Sequence, residues 1–235
     1  QMLPEAFRVD LLRESTFAEL AGHADRLEAL ADAAGSRVIF IDEVQRLPAL
    51  LDEVHRLVER RGFRFALTGS SARKLKRSGA NLLAGRARTL TMHSFTASEL
   101  GAAFNLGRAI RYGMLPTVWV QDDPAEYLKS YVGTYLREEV QQEALVRNLA
   151  SFARFLEVAA LVNGQVVNVA GIARDAAVAR PTVQGYFATL EDTLIGTWLP
   201  AWRRRAKVKE VASPKFYLFD PGVARALGGR LREPL

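Results

Sequence analysis

The sequence predicts an α/β region followed by a mainly α region. Two observations carry that reading. In the first 70 or so residues, short apolar runs alternate with stretches of helical periodicity, which argues for a parallel sheet built by right-handed crossovers. From Ser94 onward the apolar spacing is helical until two short strand-like runs near the C-terminus.

Taken in order, residues 6–12 read as a strand with Asp10 inside it. Thr16-Phe17-Ala18-Glu19 has capping-box spacing, and Phe17, Leu20, Leu27 and Leu30 share a face, so a helix is expected over about 15–33. Gly35-Ser36 breaks it. Val38-Ile39-Phe40-Ile41 is a short buried strand that ends on two acids, Asp42 and Glu43. Pro48 opens the next helix as an N1-type proline, with Leu50, Leu51, Val54, Leu57 and Val58 as its buried stripe, and Arg60-Arg61-Gly62 ends it. Residues 63–68 form a third strand, and Thr89-Leu90-Thr91-Met92 has the composition of a last, short one. The helical pattern over about 94–148 is interrupted at Gly113-Met114-Leu115-Pro116 and at Asp122-Asp123-Pro124.

The last portion changes character. Phe152, Phe155, Leu156, Val158, Ala159 and Val162 make a helix that stops at Asn163-Gly164. Asn168 caps a short helix over 169–176, and Pro181 starts another through Leu190. Strand-like runs at 194–198 and 215–219 enclose Arg203-Arg204-Arg205-Ala206-Lys207-Val208-Lys209. Helix, helix, turn, helix and a two-stranded ribbon with a charged tip is the winged-helix arrangement. The expected division is therefore an α/β core over 1–93, a helical lid over 94–149 and a winged-helix domain over 150–235.

Composition narrows the chemistry. About half of the residues are apolar (49%), so a substantial core can be buried, and no apolar run is long enough for a transmembrane helix. The first residues have neither the basic nor the apolar segment of a signal peptide and read as a cut end. Cysteine is absent, which excludes disulfides and thiolate metal sites and fits the cytoplasm. His23, His55 and His93 lie too far apart to show zinc-ligand spacing. A net charge of +6 suits contact with a polyanion.

The two acids after the 38–41 strand lie where open α/β sheets bind ligands. Asp42 is the candidate magnesium ligand, acting through a water, and Glu43 the candidate general base. The alternative is that Asp42 caps a turn and Glu43 is solvated. Thr68, Ser70 and Ser71 end the next strand, where a polar side chain can bridge an attacking water and a γ-phosphate; ordinary turn chemistry is the alternative. Arg86, after Gly85, is placed to reach a phosphate in its own or a neighbouring subunit, or else is an exposed helix arginine. In the C-terminal region, Arg180, Thr182 and Gln184 open the second helix of a helix-turn-helix and would approach base edges. Arg203, Arg204, Arg205, Lys207 and Lys209 would reach phosphates of duplex DNA, or pack on an acidic face of a neighbouring domain. No G-x-x-x-x-G-K-[ST] run occurs in the 235 residues.

Val38 to Glu43 followed by Val44-Gln45-Arg46-Leu47-Pro48, then Leu67-Thr68-Gly69-Ser70-Ser71, Leu82-Leu83-Ala84-Gly85-Arg86, Tyr112-Gly113-Met114-Leu115-Pro116, Tyr127-Leu128-Lys129-Ser130-Tyr131 and Pro214-Lys215-Phe216-Tyr217-Leu218-Phe219-Asp220-Pro221-Gly222 resemble the prokaryotic AAA+-superfamily ATPases of the archaeal-ATPase type. The resemblance covers nearly the whole chain. It implies an ASCE-type parallel sheet, a helical lid and a winged helix. It also implies a Walker B pair at Asp42 and Glu43, a sensor at Ser70, a nucleotide-contacting arginine at Arg86, and ATP with Mg²⁺ as the nucleotide and metal. Family members carry a Walker A loop upstream and many carry a nuclease-like domain downstream. The chain therefore reads as an interior piece of a longer protein or a product that has lost both ends, itself inactive without the Walker A segment, with a gap or rearranged strand pairing expected before Ser94. Three roles follow: an ATPase acting on DNA or a protein partner, a non-catalytic DNA-binding module, or a protein-interaction module in which the winged helix serves as a dimerisation (self-association) or lid element.

Overall fold

The computed structural model describes residues 5–69, 87–135, 148–202 and 213–235. The chain divides into two compact units, Gln1–Leu90 and Thr91–Leu235.

In the first unit, β1 (Phe7–Asp10), β2 (Val38–Asp42) and β3 (Arg64–Leu67) form a parallel sheet in chain order. The register sets Asp10 opposite Asp42 and Ile41 opposite Leu67. The strands pair without interruption, so the expected gap or rearrangement is not found among them. β2 alternates as a strand must: Ile39 and Ile41 are fully buried, whereas Val38 and Phe40 are half-buried, with Arg8 over the Phe40 ring. The 38–41 strand is therefore buried completely on one face only.

The helix expected over 15–33 is two helices, α1 (Glu14–Gly22) and α2 (Arg26–Ala33). His23 leaves helical geometry at the weak helix former Gly22, and the break leaves both Leu20 and Leu27 in the core. Because α1 begins at Glu14, Thr16 lies inside it and the expected capping box does not form. α3 (Leu50–Arg61) starts two residues after Pro48, whose carbonyl instead accepts the Leu51 N–H. Its stripe Leu50, Leu51, Val54 and Leu57 is buried as the spacing requires, and Gly62 closes it with φ +66. A carboxylate–guanidinium network joins α2 to α3: Glu28 takes Arg56 and Arg61, Arg56 also takes Glu53, and Arg61 reaches Asp32 at 3.0 Å. The Arg56 hydrogen bond holds the Glu28 carboxyl below its ordinary range, with the charge of Arg61 adding to it. Residues 89–92 form no strand; Leu90 and Met92 stand in solvent. A strand needs a neighbouring edge to hydrogen-bond, and among the described residues β3 pairs only with β2.

The second unit comprises α4 (Ala97–Leu100), α5 (Leu106–Tyr112), α6 (Pro116–Trp119), α7 (Pro124–Ser130), a π-turn (Tyr131–Tyr135), α8 (Leu149–Leu161), α9 (Val169–Asp175), α10 (Arg180–Asp192), β4 (Gly196–Leu199), β5 (Lys215–Leu218) and α11 (Pro221–Leu227). Side-chain oxygens at Thr96, Asn105, Asp123, Asn148, Asn168 and Asp220 cap the helices that follow them. Thr96 and Glu99 complete a capping box. The β4–β5 ribbon is antiparallel, and Val166 bridges to Lys215 beside it. Phe152, Phe155, Tyr186, Phe187, Trp198 and Phe216 form a chain of ring contacts through the core, with centroids 4.7 Å apart between Phe187 and Phe216. Val118, Leu128 and Val132 belong to the same core, so helices before and after Asn148 are buried together.

Asp220 is the polar centre of this unit. It is completely buried, and its carboxylate accepts from the Met114 amide at 2.7 Å, the Val223 amide at 3.1 Å and the Ser94 hydroxyl at 3.3 Å. Two glycines make the approach possible. A Cβ on Gly113 would lie 1.8 Å from Asp220 Oδ1, and a Cβ on Gly222 would lie 2.1 Å from the Tyr112 carbonyl carbon. Residues of the Tyr112–Pro116 and Pro214–Gly222 stretches thus meet in space.

Candidate functional site

Three strand ends converge at the carboxyl edge of the β1–β2–β3 sheet. Asp42 is the last residue of β2, and Thr68 follows β3 by one residue. The Thr68 hydroxyl donates to Asp42 Oδ1 at 2.5 Å, its amide donates to the Ile41 carbonyl at 2.9 Å, and its carbonyl accepts from Val44 at 3.0 Å. Thr68 is therefore laced across the exit of β2. Asp10, opposite Asp42, is turned to its own loop and accepts the Leu12 amide at 2.8 Å.

Glu43 leaves the strand in the left-handed region, φ 57 and ψ 42. A residue with a Cβ adopts that geometry at a cost of about 1–2 kcal/mol, and such strain collects at functional turns. The consequence is a sharp reversal into the Val44–Arg46 helical turn, which takes Glu43 off the strand's alternation. Gln45 Nε2 donates to Glu43 Oε2. Arg46 pins the turn: its guanidinium donates to the Leu11 carbonyl at 2.7 Å, lies 3.9 Å from the Glu14 carboxylate and sits over the Phe17 ring at 5.2 Å. Spacing alone did not single out Gln45 and Arg46 as members of the site, although both stand within three residues of Glu43.

The donor set at this edge consists of oxygens, which suits a hard cation such as Mg²⁺. Among the described residues, no three His, Cys, Asp or Glu side chains gather closely enough to cage a metal. A single carboxylate held by a neighbouring hydroxyl fits Mg²⁺ nonetheless, because that ion keeps several waters and takes further oxygens from phosphates.

Ser70 and Arg86 lie outside the described residues, as do Arg203, Arg204, Arg205, Lys207 and Lys209. In the second unit, Arg180 and Gln184 are exposed on the first turns of α10 and Thr182 is half-buried. Beside them a groove of about 420 Å³ is lined by Ala170, Ala173, Arg174, Val178 and Arg180. No described helix is long and apolar enough to cross a membrane.

Comparison with known proteins separates the same two portions. Residues 4–101 match a family described as an AAA domain, and residues 104–233 match a domain of unknown function, DUF8612. Similar curated proteins include the uncharacterized protein Rv2008c of Mycobacterium tuberculosis and the uncharacterized protein Mb2031c of Mycobacterium bovis. Each is 30% identical over 210 residues, covering 88% of this chain and 47% of the relative. The chain thus spans about half the length of these relatives. No solved structure matches.

Proposed function

Because the chain belongs to the DUF8612 family over residues 104–233 and carries an AAA domain over 4–101, we propose that the first unit is the hydrolytic edge of a cytoplasmic ATPase. The observation that carries this reading is the coupling of Asp42 to Thr68 beside a left-handed Glu43 at the carboxyl edge of a parallel sheet. Asp42 and Glu43 are the Walker B pair. Asp42 would hold Mg²⁺ through a water, and the Thr68 hydroxyl fixes the plane of its carboxylate. Glu43 holds and deprotonates the attacking water, and Gln45 and Arg46 set the position from which it does so. Mg²⁺, when bound with ATP, would supply neutralisation of phosphate charge. A phosphate-binding loop from outside these residues would complete the site, with Ser70 and Arg86 contributing as the family pattern implies.

The test uses a version carrying such a loop upstream. Glu43→Gln is expected to leave ATP binding nearly intact and to lower turnover by about 10²–10⁴-fold, the range of a general base. Asp42→Asn is expected to weaken Mg²⁺-dependent binding as well. Parental turnover in the Glu43 variant would remove Glu43 as the base.

A second reading concerns the second unit. Its element order from α8 to β5, with Val166 joining the ribbon beside Lys215, supports a winged helix. The exposed Arg180 and Gln184 and the basic run at 203–209 support contact with duplex DNA, coupled to the hydrolytic unit or acting without it.

A further inference from the structure

Several arginines in the second unit are tied to their own chain. Arg154 donates to the Ala176 carbonyl and the Ser151 hydroxyl, Arg108 to the carbonyls of Trp119 and Gln121, and Arg225 to those of Arg230 and Glu233. These guanidinium groups staple the chain to itself. Arg174 and Arg180 do not: both are exposed, and among the described residues neither makes an ion pair or a side-chain hydrogen bond. Together they flank the 420 Å³ groove.

The backbone sets that pairing. Ala177 takes φ +53 between α9 and α10, its amide returns to the Arg174 carbonyl at 3.1 Å, and the Val178 amide returns to the Ala173 carbonyl at 3.0 Å. The tight reversal brings Arg180 back beside Arg174, six residues earlier. Ala170, Ala173 and Arg174 follow helical spacing and share a face of α9, so the groove wall carries methyl groups rather than long side chains.

We infer that this groove seats the sugar–phosphate backbone of duplex DNA, with Arg174 and Arg180 engaging neighbouring phosphates; the inference rests on the DNA-binding reading above. Exposed guanidinium groups bind one mobile anion weakly, since solvent-exposed ion pairs are worth about 0–1 kcal/mol. A duplex offers a charge about every 1.7 Å and releases counterions as each is neutralised. The lining matches that partner: it holds two arginines and no acid, in a chain whose net charge is +6. Arg180 thereby becomes a phosphate contact instead of a base contact. The exposed positions that follow over the next two turns of α10, Pro181, Gln184, Gly185 and Ala188, are uncharged, and the exposed acid Glu191 lies at the far end of the helix, so binding shows little sequence preference.

The experiment titrates the 235-residue chain against a short random-sequence duplex by fluorescence anisotropy at several salt concentrations, with circular dichroism on every variant. R174A/R180A is expected to make the log–log salt slope shallower by about 1–2, at about 0.9 per phosphate neutralised, whereas R174K/R180K keeps the slope because it keeps the charge. An unchanged slope and affinity in R174A/R180A would remove the groove from the interface and leave the DNA-binding reading standing. Equal loss in the lysine variant would make the effect structural and overturn the inference. No duplex binding by the parent at low salt would overturn inference and DNA reading together, without touching the ATPase reading. Binding of inorganic phosphate that depends on Arg174, with no duplex binding, would replace it by a small-anion site.

Discussion

Replacing Asp220 by alanine removes the acceptor of the Met114 and Val223 amides and of the Ser94 hydroxyl at a position with no access to water. Each buried donor left unsatisfied costs about 1–3 kcal/mol. Against that loss, the folded state no longer carries a buried charge, whose penalty is several kcal/mol. The expected net loss is about 3 kcal/mol. With a urea slope of about 2 kcal/mol/M, the unfolding midpoint falls by about 1.5 M. Asparagine keeps one oxygen for the α11 cap but turns an NH₂ toward another donor, so its loss is smaller, about 1–2 kcal/mol. The assay is urea unfolding followed by tryptophan fluorescence, which reports on this unit alone because all three tryptophans, Trp119, Trp198 and Trp202, lie within it. The pH dependence is a second, independent readout. Burial is the largest influence on Asp220 and raises its pKa above the ordinary 3.8, against the lowering effect of its hydrogen bonds. The folded unit therefore holds that proton to higher pH than the unfolded chain, and stability from this group is complete below about 3.8 and is lost as pH rises through the folded value. Asparagine does not titrate, so the advantage of the parent over Asp220→Asn should widen from neutral to acid pH. A gap that narrows, or an alanine variant within about 0.5 kcal/mol of the parent, would refute the reasoning.

Gly222→Ala places a methyl against the Tyr112 backbone; with no side chain to yield, the expected loss is at or above the usual 1–3 kcal/mol for overpacking, read as a lower midpoint in the same fluorescence assay. Glu28→Gln is expected to destabilise the first unit at neutral pH, and the difference should vanish as pH falls through the lowered Glu28 pKa, because a depressed carboxylate stabilises only while ionised; urea unfolding by circular dichroism at neutral and acid pH checks it. In a version with an upstream phosphate-binding loop, Arg86→Ala should remove any rise of ATPase rate with protein concentration; equal rates for variant and parent at every concentration would leave Arg86 a solvated residue.

Much of the secondary structure was legible because local chemistry decides it. Asn168 caps α9 with its Oδ1 on Ala170 and Gly171, and Pro181 falls in the first turn of α10, as each residue type dictates. The same chemistry misled at Thr16, where a capping-box spacing lies inside a helix, while the Thr96–Glu99 box starts a helix inside a stretch whose helical pattern begins at Ser94. Residues 89–92 have strand composition, but strand formation depends on a neighbouring edge that composition does not encode. At the candidate site, the acidic pair and Thr68 were legible as strand-end residues. Their mutual hydrogen bond was not, since it depends on the register of β2 against β3. The pairing of Gly113 with Asp220 was beyond reach for the same reason: two motifs visible in the sequence gave no sign that one closes over the other.

The Met114–Asp220 hydrogen bond spans 106 residues. Synthesis proceeds from the N-terminus at about 5–20 residues per second, so on a ribosome about 5–20 s separate the emergence of Met114 from that of its acceptor. During that interval α5, α6 and α7 have no Asp220 to fasten them, and Val118 and Leu128 wait for Phe152 and Phe216 to cover them. The first unit draws only on residues already made and can close during the same wait. The second unit is thus a late folder by construction, dependent on its final stretch of chain. A ribosome-bound nascent chain stopped shortly before Asp220 should be cut by protease within α5–α7 and protected over β1–β3.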